Sequence, residues 1–159
     1  MSNANTQGFT RKELADFYEK VILYGELMKD DSSWSLTTRS KLFRKLTTEL
    51  ELDIKRFTKA KEFDDYLQAR KNADHESKAN FIWFHDMKGN SLKSILVALR
   101  NAAAHADIKR KKNGYVWYSI DHKLKGKKKI ICQIKKKDFW EFVGSAKKCK
   151  KTTSKDGEA

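Results

Sequence analysis

At His105 the spacing of the apolar residues changes. Ahead of it they recur at intervals of three and four; beyond it they alternate with every second residue. The first period buries one stripe of a helix and the second buries one face of a strand. The switch therefore predicts helices up to His105, followed by a short hairpin.

Residues 1–9 read as a loose leader. Thr10-Arg11-Lys12-Glu13 has the form of a reciprocal helix cap. Leu14, Phe17, Tyr18, Val21, Tyr24 and Met28 then define one helical face, and Asp30-Asp31-Ser32-Ser33 ends it. A second helix is predicted from about Thr37 to the low sixties, burying Phe43, Leu46, Leu50, Ile54 and Phe57, with a helical continuation through Phe63, Tyr66 and Leu67. From Lys71 to Lys78 no apolar anchor occurs, which reads as a loop. Phe81-Ile82-Trp83-Phe84 is apolar throughout, and periodicity assigns it to neither helix nor strand.

Asn90 or Ser91 suits the N-cap of a helix with Leu92, Ile95, Leu96, Leu99 and Ala103 on its buried face. Tyr115–Ile120 and Lys129–Ile134 are rich in strand formers and read as a hairpin, with Gly126 in a longer loop. Asp138 is expected to cap a last helix that buries Phe139, Phe142, Val143 and Ala146. The fold class this describes is mainly α, a helical domain over residues 1–147 with a short β-hairpin and a final helix. Residues 148–159 form a basic tail expected to be disordered.

The 159 residues fit one domain, and the total absence of proline is compatible with long helices. Two cysteines, Cys132 and Cys149, make no disulfide framework, and the chain shows neither a signal-peptide pattern nor a long apolar run. A cytoplasmic location is expected. The net charge of +14 is unevenly placed. Residues 1–99 hold 17 Lys/Arg against 15 Asp/Glu, whereas residues 100–159 hold 18 against 6. A cationic last third without a basic amphipathic helix points to nucleic acid rather than to a membrane.

On a helical wheel, Asn101 and His105 lie one turn apart and opposite the apolar stripe, beside Ser94 and Ala98, with Arg100 between the two faces. A histidine packed in the core belongs on the stripe, and this one does not. These residue types suit RNA cleavage. Imidazole moves protons near neutral pH, guanidinium binds phosphate with two parallel bonds, and an amide orients either group. Read by residue type alone, the same three side chains also describe a solvated helix end.

Leu99-Arg100-Asn101-Ala102-Ala103-Ala104-His105 closely resembles the RNxxxH motif that ends a core helix in the HEPN superfamily. The resemblance implies a HEPN-like helical bundle and a metal-independent endoribonuclease, with Arg100 and His105 catalytic and Asn101 supporting. Attack by the ribose 2′-hydroxyl would leave a 2′,3′-cyclic phosphate. It further implies a homodimer whose two motifs face each other, a role as a toxin or in phage defence, and a possible antitoxin partner. Arg100 and His105 diverge by roughly 140° on an ideal helix, a geometry that two facing copies relieve.

Lys109, Arg110, Lys111 and Lys112 follow the motif, and Lys123, Lys125, Lys127, Lys128 and Lys129 are placed in the hairpin loop as contacts to a phosphate backbone. Tyr115 and Trp117 alternate with Val116, Tyr118 and Ile120, so one set faces solvent, where it can stack on bases. His75, His85 and His122 lack metal-ligand spacing, so no metal and no cofactor are expected, and His85-Asp86 reads as surface or capping polarity. The alternative to the nuclease is a non-catalytic module that binds nucleic acid or a partner protein through the basic last third.

Overall fold

In a computed structural model of the chain, residues 8–24, 41–73, 80–86 and 91–146 are described. The expected leader up to residue 7, the stop at Asp30–Ser33, the cap at Asn90, His75, Cys149 and the 148–159 tail lie outside them.

Thr10 and Glu13 cap the first helix reciprocally. The Glu13 amide donates to Thr10 Oγ1 at 3.0 Å, and the Thr10 amide donates to Glu13 Oε1 at 2.8 Å. That helix, Arg11–Asp16, widens into a π-helical segment, Phe17–Leu23. Phe17 and Val21 are buried as expected, but Leu14 and Tyr18 are exposed and Glu13 faces inward.

The expected long second helix is replaced by a shorter one and a strand. The helix Lys41–Glu49 stops where Glu51 takes a left-handed φ of 50°, and strand β1 (Leu52–Phe57) follows. Ile54 and Phe57 therefore sit on a strand. The helix Ala60–Ala73 then carries the chain to β2 (Asn80–His85), which settles the Phe81–Phe84 cluster as a strand. After the motif helix, Ser91–Ala104, come β3 (Ile108–Asn113), β4 (Tyr115–Leu124), β5 (Lys127–Lys135) and the final helix Lys136–Ala146. Asp138, expected just before that helix, lies in its first turn, where it accepts from Asn80 Nδ2 at 2.9 Å.

The five strands form one mixed sheet in the order β1-β2-β5-β4-β3. β1 and β2 run parallel through the Ala60–Ala73 crossover, and the other neighbours are antiparallel. This is an α/β fold, which corrects the mainly α class and the helical bundle expected from the sequence. Three of the five strands were not foreseen, and they turn an isolated hairpin into a sheet. The hairpin itself is present, but its loop is tight. Leu124 pairs with Lys127 around Lys125 and Gly126, both at positive φ, the two-residue turn that matches strand twist.

One face of the sheet is buried. Ile82, Phe84, Ile108, Tyr118, Ile120, Ile130, Cys132 and Ile134 pack against Leu92, Ile95, Leu99 and Ala102 of the motif helix and Phe139, Phe142, Val143 and Ala146 of the last helix. Each fully buried Leu, Ile, Val or Phe among them contributes about 1.5–3 kcal/mol. Glu13 is held in this layer by charge-assisted bonds. It accepts from Tyr118 Oη at 2.6 Å and Arg110 Nε at 3.1 Å, with Lys136 Nζ at 3.4 Å. Burial alone would raise the Glu13 carboxyl, but the Thr10 amide, Tyr118 and Arg110 outweigh it and bring its pKa down to about 2.

On the other face, among the described residues, the Ala60–Ala73 helix covers β1, β2 and part of β5. Phe63 stacks on Phe57 at 4.9 Å, Tyr66 meets Trp83 edge-on at 5.1 Å, and the Arg70 guanidinium lies 5.2 Å from the Trp83 ring centre. Among the described residues no helix is long and apolar enough to cross a membrane.

Candidate active site

The motif helix is anchored along its length. Leu92, Ile95, Leu96, Ala98, Leu99 and Ala102 are buried, so Ala98, expected on the polar side, belongs to the core, and Ala103 is only half-buried. Nearer its start, Ser94 Oγ donates to Asp86 Oδ1 at 2.9 Å, and Asp86 also accepts from Arg56 Nε at 2.7 Å. Asp86 is therefore a buried bridge between the sheet and the motif helix, which corrects its reading as surface polarity.

The helix ends at the motif. Ala106 adopts φ 59°, its amide donates to the Ala103 carbonyl at 3.2 Å, and the Asp107 amide donates to the Ala102 carbonyl at 2.8 Å. These paired bonds are the usual left-handed helix stop, here built without glycine. They leave His105 as the last turn residue, exposed to solvent, and send the chain directly into β3. One turn back, Arg100 Nη1 donates to Asn101 Oδ1 at 2.7 Å, so the asparagine holds the guanidinium. Arg100 and Asn101 are both partly buried.

His105 has a neighbour that sequence reasoning passed over. Its ring stacks on His122 of β4 at 5.7 Å between centres and 19° between planes. His122 is 2% exposed, and its Nδ1 lies 2.8 Å from Asp107 Oδ2. Facing a carboxylate, that nitrogen carries the hydrogen and donates it. The remaining Nε2 is buried with no hydrogen-bond partner among the described residues. The site thus consists of an exposed imidazole stacked on a second imidazole, which is itself braced by a carboxylate from the same chain reversal. Asp107 and His122 are far apart in sequence; only the pairing of β3 with β4 brings them together.

The proposed phosphate contacts fall into three groups. Lys109 and Lys111 are exposed on β3, on the side of the sheet away from the core, and Lys112 is exposed on the other side of that strand. Arg110 points inward to Glu13 and is engaged there. Lys123 is the last but one residue of β4 and Lys127 the first of β5, so with Lys125 these residues flank a turn instead of filling a loop; Lys128 pairs with Asp121. Burial, and then the neighbouring charge of Lys127, lower the pKa of Lys129.

Of the two aromatics, Tyr115 is 65% exposed and Trp117 is partly buried. The Lys135 ammonium lies 4.6 Å from the Tyr115 ring centre and 5.6 Å from that of Trp117. A cleft of about 420 Å³ opens beside Tyr115, lined also by Val116, Lys135, Lys136, Lys137 and Asp138. Among the described residues no three His, Cys, Asp or Glu side chains converge as a metal-binding group.

No protein-family model matches the chain, and no curated protein or solved structure is significantly similar to it.

Proposed function

We propose that the chain is a metal-independent endoribonuclease of the kind the RNxxxH motif implies, acting in the cytoplasm as a toxin or phage-defence enzyme. The fold is not the helical bundle the resemblance implied, so the reading rests on the motif helix. The observation that carries it is an exposed His105 imidazole at the end of that helix, braced from behind by His122 and Asp107, one turn from a guanidinium held by Asn101.

In this reading the ribose 2′-oxygen attacks the adjacent phosphorus. The 2′-O–P bond forms and the P–O5′ bond breaks. A base removes the 2′-hydroxyl proton, and an acid supplies one to the departing 5′-oxygen. His105 is the accessible proton carrier, and Arg100 neutralises the pentacoordinate phosphate. Two proton transfers need two carriers, and His122 is sealed from substrate. The His105 of a second copy is the natural other carrier, which makes the working form a dimer through the motif helix.

RNA incubated with the protein in excess chelator should yield 2′,3′-cyclic phosphate and 5′-hydroxyl ends. Products with 5′-phosphates, or no products at all, would remove the assignment.

His122 acts as a positioning residue. His122→Ala should lower kcat about tenfold with KM unchanged, on the scale of lost orientation at a catalytic group. His122→Phe keeps the stacking surface and should recover most of that loss. An unaltered kcat in His122→Ala removes this role.

A second reading is favoured by the lysines and aromatics exposed on the sheet: a non-catalytic binder of nucleic acid. It requires salt-sensitive binding without cleavage, indifferent to His105→Ala.

A further inference from the structure

We propose that the open part of the sheet, formed by β3, β4 and Lys135 of β5 on the side away from the core, is a docking platform for single-stranded RNA. The choice of RNA rests on the ribonuclease reading; the platform itself rests on register.

Residues directly opposite each other across neighbouring strands share a face. Lys111, Trp117 and Lys135 are directly opposite one another across β3, β4 and β5, and so form one row. The next row holds Lys109, Ser119, Gln133 and, on β2, Phe81. The intervening positions Tyr118, Ile120, Cys132 and Ile134 are buried on the opposite face. Ring faces and ammonium groups are thus interleaved on one surface. Lys135 already lies against both Tyr115 and Trp117, while Phe81, stacked on Trp83 at 4.0 Å, marks the border where the crossover helix begins to cover the face.

The crossover helix covers β1, β2 and part of β5, and among the described residues it leaves β3 and β4 uncovered on this face. At the other end, beyond Tyr115, the 420 Å³ cleft lined by Lys135, Lys136 and Lys137 continues the same surface and has the volume of a small-ligand pocket.

The chemistry selects the occupant. Every base has a ring face to stack, and cations spaced between aromatics track the phosphates of a strand whose bases are splayed out. A duplex hides those ring faces in its own stack and offers only its backbone. β4 leads from Trp117 to His122, on which His105 stacks, roughly 17 Å along the strand, and His122 lies with Tyr118 and Ile120 on the core side of the sheet. A strand seated on Tyr115 and Trp117 must therefore cross the rim of the sheet to bring a phosphate to His105.

The test is fluorescence anisotropy with a labelled 2′-O-methyl oligouridine, which binds as a single strand but has no 2′-hydroxyl to react. An otherwise identical duplex serves as comparison. Tyr115→Ala should weaken single-strand binding about tenfold and Tyr115→Ala/Trp117→Ala further, on the scale of lost base stacking. Lys111→Ala/Lys135→Ala should weaken it and flatten its salt dependence. Thermal melting confirms that each variant is folded; Tyr115 is too exposed for its loss to unfold the chain.

Unchanged affinity in both double variants overturns the platform. So does duplex binding as tight as single-strand binding, or capture of polyglutamate in preference to RNA. Because the probe cannot be cut, the two proposals separate. Binding that depends on these residues without any cleavage of ordinary RNA keeps the platform and removes the nuclease. Cleavage with binding indifferent to them does the reverse.

Discussion

Arg100→Ala and His105→Ala should each cut RNA cleavage by about 10²–10⁴-fold, the range for loss of a general acid–base or of transition-state charge stabilisation. Neither change should unfold the protein. His105 is exposed at a helix end, and Arg100 bonds through Nη1 to the amide next to it in the chain. Co-expressing the two variants sharpens the prediction. If two motif helices build one site, the mixed dimer keeps one Arg100 and one His105. It should then cleave detectably faster than either inactive parent, though well below wild type. Activity equal to the mean of the parents would show that each copy acts alone and would sink the shared site. Full activity of both single variants would sink the nuclease.

The second large effect concerns stability. Glu13 is 2% exposed and gathers Tyr118, Arg110 and Lys136 around one carboxylate. Glu13→Ala leaves a buried guanidinium edge and a phenol without their acceptor and should cost about 3–5 kcal/mol. At roughly 2–4 °C per kcal/mol for a chain this size, the melting temperature should drop by about 10 °C.

The same carboxylate predicts an acid limb. Its pKa falls from 4.5 in the unfolded chain to about 2 in the folded one, so its contribution is complete above pH 4.5 and fades as the pH falls toward 2. That contribution is about 3 kcal/mol. Chemical denaturation at stepped pH should show this loss in the wild type. Glu13→Gln, which cannot titrate, should start less stable and lose correspondingly less over the same interval. Parallel acid profiles for the two proteins would rule out Glu13 as the source.

Much of the chain is readable by eye where signals are local. The Thr10–Glu13 cap, the buried face of the last helix and the two hairpin strands depend on residues close in sequence, and all are present. The errors arise where the chain turns without a turn residue. Glu51 and Ala106 both adopt left-handed φ, the position glycine normally marks. With no breaker at 51, the spacing of Leu46, Leu50, Ile54 and Phe57 runs on as a helix, although Leu52 and Ile54 also alternate as a strand. β3 is invisible for a different reason. Its sequence, Ile108-Lys109-Arg110-Lys111-Lys112-Asn113, has one apolar residue, because it is an edge strand and lysines there discourage pairing with another chain. His122 could not be found at all from spacing. What makes it noteworthy is Asp107 and His105, which only the folded sheet brings to it.

The strand order has a consequence for biogenesis. β5 is the middle strand of the sheet, yet it is synthesised after the other four. A nascent chain that has emerged only through β4 already carries Arg100 and His105, but β2 has no β5 to join it to β4, and the motif helix lacks the central part of its floor. Under the proposed nuclease reading, this ordering withholds competence until β5 has emerged and closed the sheet.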